Sequence, residues 1–132
     1  MPLPCALYLD AVPYSLTDSI IGWWLWCLPT NKRYLYAGFR KRNACACGCR
    51  GWCSFRVYWE LTRWQLEALG NGIYPSARFD GEPWRASDKK RMELSGKRML
   101  YRMVVIYIKG DWSEYATTVG LPSWQDGLRP CF

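Results

Sequence analysis

Residues 99–111 read Met-Leu-Tyr-Arg-Met-Val-Val-Ile-Tyr-Ile-Lys-Gly-Asp, and this stretch decides the fold. Its centre, Val104 to Ile108, is an unbroken β-branched and aromatic run, which predicts a strand over 99–108. Lys109-Gly110 ends the strand and Asp111 follows. A second run of the same kind opens the chain: Cys5-Ala-Leu-Tyr-Leu-Asp10 is apolar on both faces, ends in an acid, and is closed by Pro13. Two apolar runs, each ending in a carboxylate, suit the interior of one sheet.

The chain between them fills in the topology. Residues 20–28 form a Trp-rich apolar run, Pro29-Thr-Asn-Lys32 is a turn signal, and 33–40 alternates as Arg-Tyr-Leu-Tyr-Ala-Gly-Phe-Arg. These predict a hairpin. A Cys/Gly/Arg loop over 41–53 leads into helical spacing over 55–69, where Val57, Leu61, Trp64 and Ala68 share a face, and Gly70-Asn-Gly72 stops it. Residues 71–98 read as an irregular basic loop, with a short basic helix over 89–97; a last helix is expected over 112–119. The fold class is therefore α/β: a three-stranded antiparallel meander, a crossover helix, and a fourth strand parallel to the first in one mixed sheet. A chain of 132 residues allows one such domain.

Composition narrows the chemistry. The net charge of +7 favours polyanionic partners through long-range attraction and counterion release. The absence of His removes Ser–His and Cys–His nucleophile pairs and imidazole metal ligands. Seven Cys cannot all pair internally, and Met1 to Asp10 lacks the basic region and long apolar stretch of a secretory signal. Reduced thiols in an intracellular compartment, the nucleus included, are expected. The strongly apolar run from Ser19 to Pro29 is too short to span a bilayer, which needs about 20 residues. Nine Trp and nine Tyr belong first to the core and strands, and some remain available to stack on bases.

Three groups carry the candidate chemistry. Asp10 and Asp111 end strands that are parallel neighbours in the expected sheet, so both carboxylates emerge at one edge, where open α/β sheets bind ligands. A Mg²⁺ or Mn²⁺ ion would relieve their repulsion and contact substrate phosphate. The competing reading makes Asp10 a turn residue and Asp111 a helix N-cap. Second, Cys45, Cys47, Cys49 and Cys53 form C-x-C-x-C-x3-C, four thiolates in nine residues, with Gly48 and Gly51 to curve the loop around one Zn²⁺. Cys131 is an alternative ligand, and a reduced loop with packing roles is the alternative to a metal. Third, Arg40, Lys41, Arg42 and Arg50 flank that cluster, and Lys89, Lys90 and Arg91 head the basic segment. These are candidate nucleic-acid contacts, DNA first, or else a solvated charged face.

The stretches CALYLDAVPYSLTDSIIGWW, CACGCRGWCSF, FDGEPWRASDKKR and VVIYIKGDWSEYATTVGLPSWQDGLRPCF resemble transposon-like reading frames of dinoflagellate genomes. The element order is similar to the first part of the RNase H-like catalytic domain of transposases and integrases. That resemblance implies catalytic acids on the first strand and at the end of the fourth, the places of Asp10 and Asp111. It also implies a third acid on a later helix beyond Phe132, so the domain over 1–132 is expected to be incomplete and inactive as a polynucleotidyl transferase. Glu60, on the helix after the third strand, stands where ribonuclease H enzymes carry an acid; Glu114 and Asp126 are weaker candidates. The fourth strand would then have an unpaired edge, and marginal stability is expected.

Three functions follow. One is a truncated transposase-like domain that binds or processes nucleic acid. Another is a non-enzymatic, zinc-stabilised, basic nucleic-acid-binding module. The third is a structural subunit of a larger assembly that meets a protein partner through the Trp-rich run from Ile21 to Leu28.

Overall fold

The computed structural model describes residues 1–49 and 51–111. Strand β1 (Leu3–Pro13) is followed by β2 (Ser19–Cys27) and β3 (Lys32–Arg40), then helix α1 (Trp52–Asn71), the short helix α2 (Lys89–Leu94) and strand β4 (Met103–Lys109). Asn31, at φ 54°, supplies the left-handed residue that reverses the chain between β2 and β3. The sheet order is β3-β2-β1-β4. β1 runs antiparallel to β2, with Cys5 opposite Cys27, and parallel to β4, with Leu3 opposite Met103 and Tyr8 opposite Lys109. The molecule is therefore α/β with a mixed four-stranded sheet, three strands antiparallel and one parallel, as the apolar runs and turn signals predicted.

Strand alternation decides what is buried. Leu7 and Leu9 of β1 and Ile21 and Trp23 of β2 project to one face and pack against Phe55 of α1. Cys5, Leu25 and Cys27 extend this layer toward Leu66, Leu69 and Val105. Trp23 is fully buried and lies parallel to Tyr58, with ring centroids 5.0 Å apart, and to Phe39 at 5.9 Å. The one buried polar residue of the described core is Thr62, whose hydroxyl donates to the Tyr58 carbonyl at 2.7 Å. With that proton used, the Tyr36 hydroxyl donates to Thr62 Oγ1 at 3.0 Å, and burial pushes the Tyr36 phenol up to about 12.

The structure corrects three details of the sequence reading. Val57, expected to share the buried stripe of α1, is exposed; the core side of the helix is Phe55 and Thr62 with Tyr58, Trp59, Leu66 and Leu69. Leu61, Trp64 and Ala68 instead line a groove described below. The basic helix ends at Leu94 rather than at 97, because the chain turns back at Gly96, whose N–H donates to the Tyr74 carbonyl. The last strand starts at Met103 rather than at 99, since the Met99 N–H is taken by the Gly72 carbonyl and Arg98 bridges to Ile73. The helix expected over 112–119, along with Glu114, Asp126 and Cys131, lies outside the described residues, as does Arg50. No helix of the described residues is long and apolar enough to cross a membrane.

Candidate metal and carboxylate sites

The cysteine loop closes on itself. The Sγ atoms of Cys45, Cys47, Cys49 and Cys53 all lie within 4.8 Å of one another, and Cys47 and Cys53 are 3.8 Å apart. A tetrahedral ion with Zn–S bonds of about 2.3 Å needs sulfurs about 3.8 Å apart. The donor set fits such an ion in size, number and softness.

The local sequence explains the curvature. Gly48 (φ 88°) and Gly51 (φ 90°) take left-handed backbone that other residues rarely adopt. A Cβ at Gly51 would also collide with the Phe55 ring. From Gly51 the chain enters α1 directly: the Gly51 carbonyl accepts from the Ser54 and Phe55 N–H groups at 2.9 and 3.0 Å. Ser54 Oγ accepts the Cys45 N–H at 2.9 Å, tying the start of the loop to the first helical turn. Phe55 then anchors that turn in the core. The cage thus sits on a helix end fixed by packing.

The helix end also sorts the thiols electrically. Cys49 Sγ accepts the Cys53 backbone N–H at 3.4 Å, one of the donors a helix N-terminus leaves open. This hydrogen bond comes first among the causes that lower the Cys49 thiol to about 6. Hydrogen bonding to Cys49 pushes Cys53 the other way, to about 12, and contact with Cys47 raises Cys45. The thiolate is therefore favoured at Cys49 while Cys45 and Cys53 hold their protons more tightly, and a soft cation entering the set would displace those protons.

On the face of the sheet opposite α1 stands the first of the two strand-end acids. Asp10 is flanked in β1 by Leu9 and Ala11, which face α1, so its own side chain projects to the other face. There it accepts the Tyr8 hydroxyl at 2.8 Å. Tyr8 and Lys109 are the last paired residues of β1 and β4, and Asp10 and Asp111 each come two residues later. Tyr8 registers both acids: the Asp10 hydrogen bond raises its phenol most, the Asp111 charge adds to the effect, and Arg33 opposes it. Trp24, with its ring centroid 5.6 Å from that of Tyr8, floors the same patch. Trp26 lies beneath Arg33 at 4.8 Å and Lys109 at 5.3 Å. Only the alternate members of the Trp-rich run, Trp24 and Trp26, therefore stand on this face, while Trp23 belongs to the core.

Glu60 does not join Asp10. It is exposed on α1 and bound to Arg56 Nε at 2.9 Å, while Asp10 projects from the far side of the sheet. The basic candidates are dispersed. Arg40 covers the Tyr14 ring at 5.2 Å, Lys41 and Arg42 occupy a short 3-10 turn, and Arg42 pairs with Asp18 at 3.3 Å. Lys89, Lys90 and Arg91 open α2, with Arg91 paired to Asp88 at 3.5 Å. Tyr8 was not among the sequence candidates; its place two residues before Asp10, on the same strand face, was the available signal.

No protein family, curated protein or solved structure matches this chain.

Proposed function

We propose that this chain is a zinc-stapled nucleic-acid-binding domain built on a partial RNase H-like sheet, related in layout to transposases. The observation that carries the reading is the cage of four cysteine sulfurs within 4.8 Å of one another at the start of α1. Zn²⁺ is the ion suited to four thiolates in a tetrahedron. Arg40, Lys41 and Arg42 lead into this loop, in a chain of net charge +7. Anions are drawn to such a surface, and phosphate contacts hold a nucleic acid without reading its sequence.

The zinc-loaded protein is expected to bind a fluorescein-labelled mixed-sequence DNA oligonucleotide, with an affinity that falls steeply as salt rises. Removing zinc with a chelator should weaken that binding at least tenfold, because the loop that continues from Lys41 and Arg42 loses its fixed course. Anisotropy titrations on the same sample before and after chelation decide the matter. Unchanged binding by a metal-free, zinc-refractory protein would remove the staple from the reading.

A second reading, metal-dependent processing of nucleic acid, is favoured by the shared strand end of Asp10 and Asp111 and by the response of Tyr8 to both. Two carboxylates at one strand end are ligands for Mg²⁺ or Mn²⁺, which would position a phosphodiester. Calorimetry should then detect Mn²⁺ binding to the zinc-loaded wild type and none to the Asp10→Asn, Asp111→Asn double variant. Equal heats from both proteins would reduce the acids to turn residues.

A further inference from the structure

We infer that the groove between α1 and the segment 74–99 receives the bases of a single-stranded nucleic acid, while the cations on its rim take the phosphates. This inference rests on the nucleic-acid reading above and gives it a place and a strand form.

The groove is a cavity of about 920 Å³ on the side of α1 that carries Leu61 and Trp64. Its volume lies within the range of sites that enclose organic ligands, roughly 300–1,000 Å³. It admits a base or two, not a double helix. Aromatic rings stand in its walls beside aliphatic side chains such as Leu61, Leu66 and Leu94. Trp64 of α1 meets Trp84 edge to face at 6.0 Å, which leaves an aromatic corner. Tyr34 of β3 and Phe79 bring exposed rings to the same cavity.

The corner is held in place before any ligand arrives. Trp84 Nε1 donates to the Pro75 carbonyl at 3.2 Å, so the ring is oriented by the backbone. The segment bearing it is closed at its base by the Tyr74–Lys97 and Gly96–Tyr74 backbone hydrogen bonds and by the Ile73–Arg98 bridge. Preorganised rings spare a ligand part of the ordering cost.

The charge is complementary to phosphate. Arg78, Arg85, Lys90 and Arg91 line the groove beside one lining carboxylate, Asp88, and Arg78 is paired with Asp80. Asp88 is occupied: it pairs with Arg91 and accepts the Arg85 N–H at 3.3 Å. Arg91 also lies over the Trp84 ring, its guanidinium 5.5 Å from the centroid, so cation and stacking surface are adjacent. Among the described residues no ion pair engages Arg85 or Lys90. Aromatic faces beside free cations are the two components that hold unpaired strands, since every base has a π-face and every nucleotide a phosphate. An aliphatic protein segment would use the walls and leave these cations without a function.

The test compares a labelled single-stranded oligonucleotide with the duplex of the same sequence, on the zinc-loaded 132-residue chain. Trp84→Ala should weaken single-strand binding roughly 5- to 150-fold, the range for losing one stacked base, and leave duplex binding unchanged. Trp84→Tyr should restore most of the loss. The exposed pair Arg85→Gln, Lys90→Gln guards against a folding artefact and should lower the slope of log affinity against log salt by about 1.4. If Cys47→Ser weakens single-strand binding but the Trp84 and Arg85/Lys90 variants bind as wild type does, the groove inference falls and the nucleic-acid reading stands. If the wild type binds neither form, both fall.

Discussion

Cys49→Ser is expected to abolish zinc binding and to lower the melting temperature by roughly 12 °C or more relative to the zinc-loaded wild type. The estimate follows from linkage: an ion held at about a thousand times its dissociation constant stabilises the folded state by about 4 kcal/mol. For a chain of 132 residues each kcal/mol is worth about 3–6 °C. Cys49 is the decisive position because it is the thiolate that caps the helix, accepting the Cys53 N–H, and its thiol is already lowered to about 6. Serine cannot ionise there and is a poor ligand for zinc. Cys45 and Cys53, whose thiols are raised, must give up protons as the ion enters, so zinc uptake should release protons and weaken as pH falls. Metal analysis should give one zinc per wild-type chain, and cobalt substitution should give the visible bands of a tetrahedral thiolate site. A wild type that melts at the same temperature with zinc and with chelator would exclude a structural ion.

Trp23→Ala is expected to cost about 3–5 kcal/mol, the range for emptying a large buried aromatic site. Total stabilities run to about 5–15 kcal/mol, so a protein of ordinary stability would sit at the edge of unfolding. Trp23 is fully buried and stacks on Tyr58 and Phe39, so the substitution opens the contact between sheet and helix at its centre. Trp23→Phe should be far milder. The indole Nε1 has no hydrogen-bond partner among the described residues, so phenylalanine sacrifices volume and no hydrogen bond. Urea titrations of the two variants test the contrast. Equal losses would mean that the indole N–H contributes after all.

The sheet was legible because its strands are marked by chemistry that leaves few alternatives. The runs at 5–10 and 104–108 are apolar without the 3.6 period, and the hairpin between 20 and 40 is bracketed by Pro29 and Asn31. Parallel pairing of the first and last strands followed from the element order, a strand returning beside the first after a crossover helix; β4 itself is an edge strand of the described sheet, with Val104, Ile106, Tyr107 and Ile108 exposed. The helix was legible and its orientation was not. Val57, Leu61, Trp64 and Ala68 do form a stripe, but Phe55, Tyr58, Thr62, Leu66 and Leu69 form another beside it. Periodicity cannot rank two adjoining apolar stripes; only the tertiary partners do. The sheet claimed the second, and Leu61, Trp64 and Ala68 turned to the groove.

The groove itself was invisible in the sequence because a loop makes it. Residues 71–98 carry Pro75, Pro83 and many charges, the composition of irregular chain. Backbone hydrogen bonds between residues distant in sequence, such as Tyr74 with Lys97 and Met99 with Gly72, fold that chain back across α1. The cysteine cage stood at the other extreme. Four ligands in nine residues, with Gly48 and Gly51 among and beside them, left the loop little other geometry for bringing its sulfurs together.

The place of β1 in the sheet has a consequence in time. β1 is the second strand made central by β4, yet β4 is the last element of the described chain to leave the ribosome. The antiparallel meander can zip as soon as its first forty residues are free, since hairpins close within microseconds. From then until Met103 is synthesised, the Leu3-to-Tyr8 edge waits with its backbone groups unpaired. Synthesis at about 5–20 residues per second makes that wait several seconds long. Pairing across most of the chain also places the parallel contact among the slowest steps of folding. The nascent protein therefore presents, for those seconds, an adhesive edge that a chaperone or a neighbouring nascent chain would meet before β4 does.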